Sequence, residues 1–283
     1  MQVGLRAVWV SVAVWTVLSG SPAAHAQRQV SVRGSDTMLP LLERWRDAYG
    51  RESGRTASVA GGGSASGIAA LLSGSATAAS VSGPLSPADR DRARSRGVVL
   101  HETPVALDAL AIVVRADNPI ESIRLDTLAQ IYAGRLTDWS QIGGKAGPIL
   151  PVARGEGSGC QALFLAEVLK FRRPSSAPIV AASPADVVRL VRSREGAIGY
   201  GSVALFAREP DIKVLAVAAS PGDEPVPPTE AAARERRYPL WRHLNLITNG
   251  RPTGEVRRFL DFARSEEGQK IAERAGFFRL DRP

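Results

Sequence analysis

The sequence predicts an α/β protein of two lobes, and three observations carry that reading. Apolar, β-branched runs alternate with segments of helical spacing, the pattern of parallel strands covered by helices. Glycine- and serine-rich turns recur where a strand passes into a helix. A long apolar run in the middle of the chain and a late return strand imply crossovers between the lobes.

The elements follow in order. Gln29 to Val32 reads as a short strand, and Gly34-Ser35-Asp36-Thr37 turns into a helix. Its apolar residues Met38, Leu41, Leu42, Trp45, Ala48 and Tyr49 keep a 3.6-residue period. Thr56 to Ala60 is a strand, followed by the turn Gly61 to Gly67 and a helical run from Ile68 to Leu72. Thr77 to Val81 is the third strand, and Pro87 occupies the first position of a charged helix to Arg96. Val98 to Glu102 and Ala106 to Arg115 read as two apolar runs, the second long enough to cross between lobes. Helical spacing returns at Leu125, Leu128, Ile131 and Tyr132, and Ile149 to Ala153 is a strand. Gly155-Glu156-Gly157-Ser158-Gly159 then opens a helix through Leu169. Ile179 to Ala181 follows as a strand, and Ser183-Pro184 caps a helix to Val191. Ala197 to Tyr200 and Ile212 to Ala218 are strands, Pro221 to Pro228 is an exposed connection, and Leu244 to Thr248 is the return strand. Two amphipathic helical segments complete the chain near Ala275. The expected division is 1–26 as a leader, 27–106 with 243–283 as lobe one, and 107–242 as lobe two.

Composition narrows the function classes. With 44% hydrophobic and 23% charged residues the chain is an ordinary globular protein rather than a fibrous or disordered one. One cysteine, Cys160, permits no internal disulfide, and with three histidines it supplies no Cys/His zinc set. Arg6, the apolar run Ala7 to Leu18 and Ala24-His25-Ala26 form a secretory signal pattern, with cleavage expected before Gln27. No cysteine lies near that point to take a lipid anchor, so a free periplasmic protein is expected. The formal charge is +8, but the basic residues are scattered and no stripe alternates arginine with aromatics, so no nucleic-acid partner is expected.

Three turns share one design: small residues, a hydroxyl, and a helix starting at once. The first N–H groups of a helix lack partners and its dipole is positive there, so each turn is a potential anion site. Ser35 and Thr37 lie in the first, Ser64 in the second and Ser158 in the third, where Arg154 stands four residues upstream as the one full cation expected to face an anion. Capping of the helices is the alternative use of such residues. Other glycine motifs fail by residue. Gly157-Ser158-Gly159-Cys160-Gln161-Ala162 lacks the acidic ribose ligand of a dinucleotide site, because the next strand is Ile179-Val180-Ala181. Gly144-Lys145-Ala146 is not a nucleotide phosphate loop, and no serine sits in a Gly-x-Ser-x-Gly elbow. Cys160 reads as a small buried side chain in a threonine-sized space.

These residues resemble a family over nearly all of the chain beyond the leader: the periplasmic phosphate-binding proteins that serve ABC transporters. The resemblance rests on Gly34-Ser35-Asp36-Thr37 with Pro40, Gly63 to Ile68, Pro84-Leu85-Ser86, and Asp117-Asn118-Pro119. It continues through Leu128 to Gly134, Thr137-Asp138-Trp139, Arg154 to Gly159, Gly196 to Tyr200, Tyr238-Pro239-Leu240 and Gly268-Gln269. It implies a periplasmic-binding-protein-like fold, with a mixed, mostly parallel sheet in each lobe and a ligand cleft between them. It also implies a monomer that binds inorganic phosphate by hinge closure and delivers it to a membrane permease, with no catalysis, cofactor or metal. By position, Thr37, the N–H of Met38 and Ser64 would bind from one lobe, and Arg154, Ser158, Gly159 and Cys160 from the other. Two departures stand out. The family usually has threonine where this chain has Cys160, and before Pro84 it commonly has an aspartate or an arginine where this chain has Ser82-Gly83. The aspartate accepts the ligand proton and separates phosphate from sulfate. Asp36, with Ser82 as the weaker acceptor, is the expected substitute; Asp108 and Glu156 are the other candidates. Another tetrahedral oxyanion, a stand-alone phosphate sensor and a secreted phosphate-ester hydrolase stay open as alternatives.

Overall fold

The computed structural model describes residues 29–171 and 178–280; the signal pattern at 1–26 lies outside the described residues. The first stretch holds β1 (Val30–Gly34), α1 (Leu39–Ser53), β2 (Ala57–Ala60), α2 (Ser64–Ser73), β3 (Ala78–Val81), α3 (Pro87–Ser95) and β4 (Leu100–Arg115). The middle holds β5 (Ser122–Arg124), α4 (Leu125–Tyr132), a 3-10 turn (Trp139–Ile142), β6 (Leu150–Arg154), α5 (Gly159–Glu167), β7 (Ile179–Ala181) and α6 (Pro184–Ser193). It continues with β8 (Ala197–Ser202), α7 (Val203–Phe206), β9 (Ile212–Ala218) and α8 (Glu230–Arg234), and the chain closes with β10 (Trp241–Asn249), α9 (Gly254–Arg264) and α10 (Glu266–Arg274).

All ten strands join one mixed sheet, ordered β2-β1-β3-β10-β4-β8-β6-β7, with β9 pairing β4 and β5 off that path. This replaces the expectation of a separate sheet in each lobe. The outer pairs β1 with β2 and β3, and β6 with β7 and β8, are parallel. The pairs that join them, β3 with β10, β10 with β4 and β4 with β8, are antiparallel. The sheet is continuous because β4 is one sixteen-residue strand, where the sequence read two runs. Pro104 has no N–H to give the ladder, and the register with β10 shifts between Leu244 and Asn245, the latter opposite Pro104. The proline is absorbed in a bulge and the strand continues.

The apolar side chains collect on either side of this central pair. One cluster draws its buried members from Ala109 to Leu240 and packs Tyr132, Phe164 and Tyr200 together. The rest of the core comes from Val30 to Ala106 and from Leu244 to Phe277. In that part α1 buries Leu41, Leu42, Trp45, Ala48 and Tyr49, the face its spacing predicts. The Trp45 indole donates to the Gly268 carbonyl at 2.8 Å, tying the first helix to the last. Among the described residues no helix is long and apolar enough to cross a membrane.

Candidate functional site

Three helix N-termini meet where the two parts of the core face each other across β4 and β10. The first turns of α1, α2 and α5 have no side-chain cap, whereas Ser86 with Asp89 and Ser183 with Asp186 close full capping boxes on α3 and α6. Helices α4 and α9 also start without a side-chain cap, so what distinguishes α1, α2 and α5 is their convergence. Their serines and threonine are not spent on capping and turn to one another.

From the α1 side, the Ser35 hydroxyl donates to Ser82 Oγ at 2.7 Å, and the Ser35 N–H bonds Ser80 at the end of β3. The Ser82 N–H in turn donates to Ser64 Oγ at 3.2 Å, in the first turn of α2. Thr37 Oγ1 lies 3.4 Å from the Cys160 sulfur in the first turn of α5. Met38 is buried at the N-terminus of α1, and its N–H bonds the Ser35 carbonyl in the turn. Ser35, Thr37, Ser64, Ser82, Ser158 and Cys160 are all buried.

Glycine sets how closely the two sides approach. A Cβ on Gly159 would lie 2.4 Å from Ser82 Oγ and 2.6 Å from Ser64 Oγ, and one on Gly83 would lie 2.3 Å from the Gly159 carbonyl oxygen. Across the same boundary the Ala65 N–H donates to the Gly157 carbonyl at 3.1 Å. The first turn of α2 is thus in backbone contact with the turn that leads into α5.

Arg154 ends β6 beside this junction, almost fully buried. Its Nε donates to the Ala181 carbonyl at 3.3 Å, and its Nη2 donates to the Ala182 carbonyl and to Asp36 Oδ2, each at 3.2 Å. Asp36 also accepts the Gly62 N–H on Oδ1 at 2.7 Å, so both of its oxygens hold donors from within the protein. Arg154 and Asp36 line a pocket of about 300 Å³ with Gly62, Gly63, Glu156 and Ser158.

The sequence reading missed Arg242. It named Arg154 as the one full cation, yet Arg242 is equally buried and its Nη1 and Nη2 both stand 3.3 Å from the Cys160 sulfur. Nη1 also donates to the Ser82 carbonyl at 2.6 Å. Nε and Nη2 fork onto Asp108 Oδ2 at 2.9 and 2.7 Å, directly across the β4–β10 ladder, and Ser202 Oγ holds the other oxygen at 2.8 Å. Burial alone would lower the Arg242 pKa, but Cys160 and Asp108 more than offset that and raise it, so the guanidinium stays charged. Nearby, burial raises the pKa of the Tyr200 and Tyr238 phenols, which keeps them neutral. Asp108, a candidate proton acceptor on the sequence, is the fixed partner of Arg242, and Glu156 is exposed. Among the described residues no group of three His, Cys, Asp or Glu could hold a metal ion.

Comparison with known proteins agrees with the fold. The chain is 27% identical over 257 residues to the phosphate-binding protein PstS of Bacillus subtilis, covering 89% of this chain and 82% of that one. A crystal structure from Clostridium perfringens with bound phosphate superposes with a TM-score of 0.78 at 24% identity, over 89% of this chain and 100% of that one. PstS from Borrelia burgdorferi gives 0.61 at 25% identity, over 89% and 99% of the two chains. The PBP superfamily domain matches residues 19–267, a span that takes in every turn at the junction, and this chain is a member of the PBP superfamily.

Proposed function

We propose that this chain captures inorganic phosphate in a cleft between two lobes and presents it to the membrane permease of an ABC transporter, without catalysis. The observation that carries the reading is the convergence of three helix N-termini and the buried hydroxyls of their turns, from both parts of the core, beside two buried guanidinium groups. Unsatisfied N–H groups, positive helix ends, hydroxyls and arginine are what a small multivalent oxyanion requires, and they need no metal. The names of the relatives point to the same ligand.

The lobes in this reading are 27–106 with 243–283, and 107–242. Support comes from the core, whose membership changes between Ala106 and Ala109 and again between Leu240 and Leu244. Both crossings lie on β4 and β10, which would serve as the hinge. Thr37, Met38, Ser35, Ser64 and Ser82 bind from one lobe, and Arg154, Ser158, Gly159 and Cys160 from the other. The signal pattern at the N-terminus supports export to the periplasm.

Calorimetric titration of the purified protein with inorganic phosphate tests the proposal. Saturable one-to-one binding is expected, with small-angle scattering reporting a more compact particle on saturation. Absence of binding would overturn it.

A further inference from the structure

We propose that Arg242, anchored by Asp108, is a second guanidinium of the anion site, and that the junction selects tetrahedral anions with few protons. Sulfate would then be held at least as well as phosphate, and phosphate better as dianion than as monoanion. This inference rests on the cleft reading above and concerns the form of ligand that the cleft takes.

The argument is an accounting of donors and acceptors. A tetrahedral anion offers oxygens that accept hydrogen bonds, and each proton it carries needs an acceptor in the site. Of the carboxylates at the junction, Asp108 accepts Ser202 on one oxygen and the Arg242 fork on the other. Asp36 accepts Gly62 and Arg154. Glu156 is exposed, where water screens it. The buried Asp108 is thus committed within the protein, and the half-buried Asp36 is already held on both oxygens by Gly62 and Arg154.

The hydroxyls are arranged as donors. Ser82 Oγ takes the Ser35 proton and Ser64 Oγ takes the Ser82 N–H, so the hydroxyl hydrogens of Ser82 and Ser64 are left to point onward. Arg242 adds a fixed positive group, since Asp108 locks two of its nitrogens while Nη1 and Nη2 face the Cys160 sulfur, which Thr37 Oγ1 approaches to 3.4 Å. A sulfur atom is a weak acceptor. A bound anion oxygen would offer that guanidinium a stronger one.

The charged and titratable groups facing Arg242 are Asp108 on β4 and Cys160 on α5, with Tyr200 beside Cys160 on β8 and Tyr238 near Asp108. The tyrosines stay neutral.

The test is calorimetric titration of the protein with inorganic phosphate and with sulfate, at about pH 6 and about pH 8. Phosphate is expected to tighten about tenfold between the two, following its dianion fraction, while sulfate stays level and competes at similar concentration. Sulfate, which carries no proton at either pH, serves as the control, since a level sulfate profile excludes titration of the protein as the source. Ser82→Asp places an acceptor beside Arg242; it should flatten the phosphate profile and weaken sulfate at least tenfold. Arg242→Lys keeps a charge next to Asp108 but loses the fork, and should weaken both anions about tenfold, with circular dichroism showing that the variant is folded at the titration temperature. Phosphate affinity that is level with pH, with sulfate excluded, would overturn this inference and leave the phosphate reading standing. Unchanged affinities in Arg242→Lys would remove Arg242 from the site, and failure of both anions to bind the wild type would overturn the phosphate reading itself.

Discussion

Replacing Gly159 by alanine separates folding from closure more sharply than any other single change. Gly159 begins α5 without a left-handed φ, so alanine suits its backbone and favours the helix by about 0.8–1 kcal/mol. In this arrangement the new methyl group would sit 2.4 Å from Ser82 Oγ, 2.6 Å from Ser64 Oγ and 2.8 Å from the Ser82 carbonyl carbon. Real Cβ contacts essentially never fall under 3.0 Å, so α5 must retreat from α2 by at least about 0.6 Å, the difference between 3.0 and 2.4. Overpacking of this kind costs about 1–3 kcal/mol, and the open form escapes it. On the proposed capture by hinge closure, affinity should fall by about five- to 150-fold, while thermal stability without ligand holds or rises slightly. Calorimetry gives the affinity and differential scanning calorimetry the melting temperature. An unchanged dissociation constant would refute closure onto Gly159, and a large loss of stability would show that the contact belongs to folding instead.

Three further predictions follow from the same geometry. Arg154→Ala removes charge-assisted bonds of about 2–4 kcal/mol, so phosphate should bind about thirty-fold to a thousand-fold more weakly in a folded protein; an unchanged affinity would exclude Arg154. Ser265→Ala removes the N-cap of α10, where its side chain accepts the Gly268 N–H, and should cost about 1 kcal/mol, seen as a melting point lower by about 2–4 °C with ligand affinity intact. Expression of the full chain should yield protein outside the cytoplasmic membrane whose N-terminus, read by mass spectrometry, is Gln27; recovery of uncleaved protein in the cytoplasm alone would defeat the signal assignment.

Much of the strand and helix order was legible in the sequence because it depends on local period. The apolar face of α1 and the strands around Ile212 and Ile179 are examples. Pro104 misled the reading of β4, since a proline is a breaker by local rules and only the partner strand can supply the bulge that accommodates it. Short pieces such as α7 and α8 gave no signal, being too brief to show a period. At the site, the turns around Ser35, Ser64 and Ser158 were visible as strand-turn-helix joints, and the structure brings them together. Arg242 was hidden by abundance: in a chain with 36 lysines and arginines, one more arginine a few positions after Arg234, Arg236 and Arg237 reads as surface. The signal that could have found it lay elsewhere, in Asp108 within Ala106 to Leu110. A carboxylate in the middle of a buried apolar strand requires a cationic partner, and the return strand offers Arg242.

The way the chain divides its core fixes an order of assembly. The central cluster is built from a contiguous stretch, Ala109 to Leu240, and all its members are available once that stretch has been synthesised. The other part waits: Val32, Trp45 and Val105 need Leu244, Phe259 and Phe277, and the Trp45 bond to Gly268 spans 223 positions. As the ribosome delivers residues from the N-terminus, β1, β2 and β3 are left as a partial sheet whose open edge is filled only by β10. Truncation before Trp241 would leave that edge exposed and the first helix without its cover. The segment from Trp241 onward therefore acts as the closing stitch, and a holding factor bound during synthesis would have most to protect at the beginning of the chain.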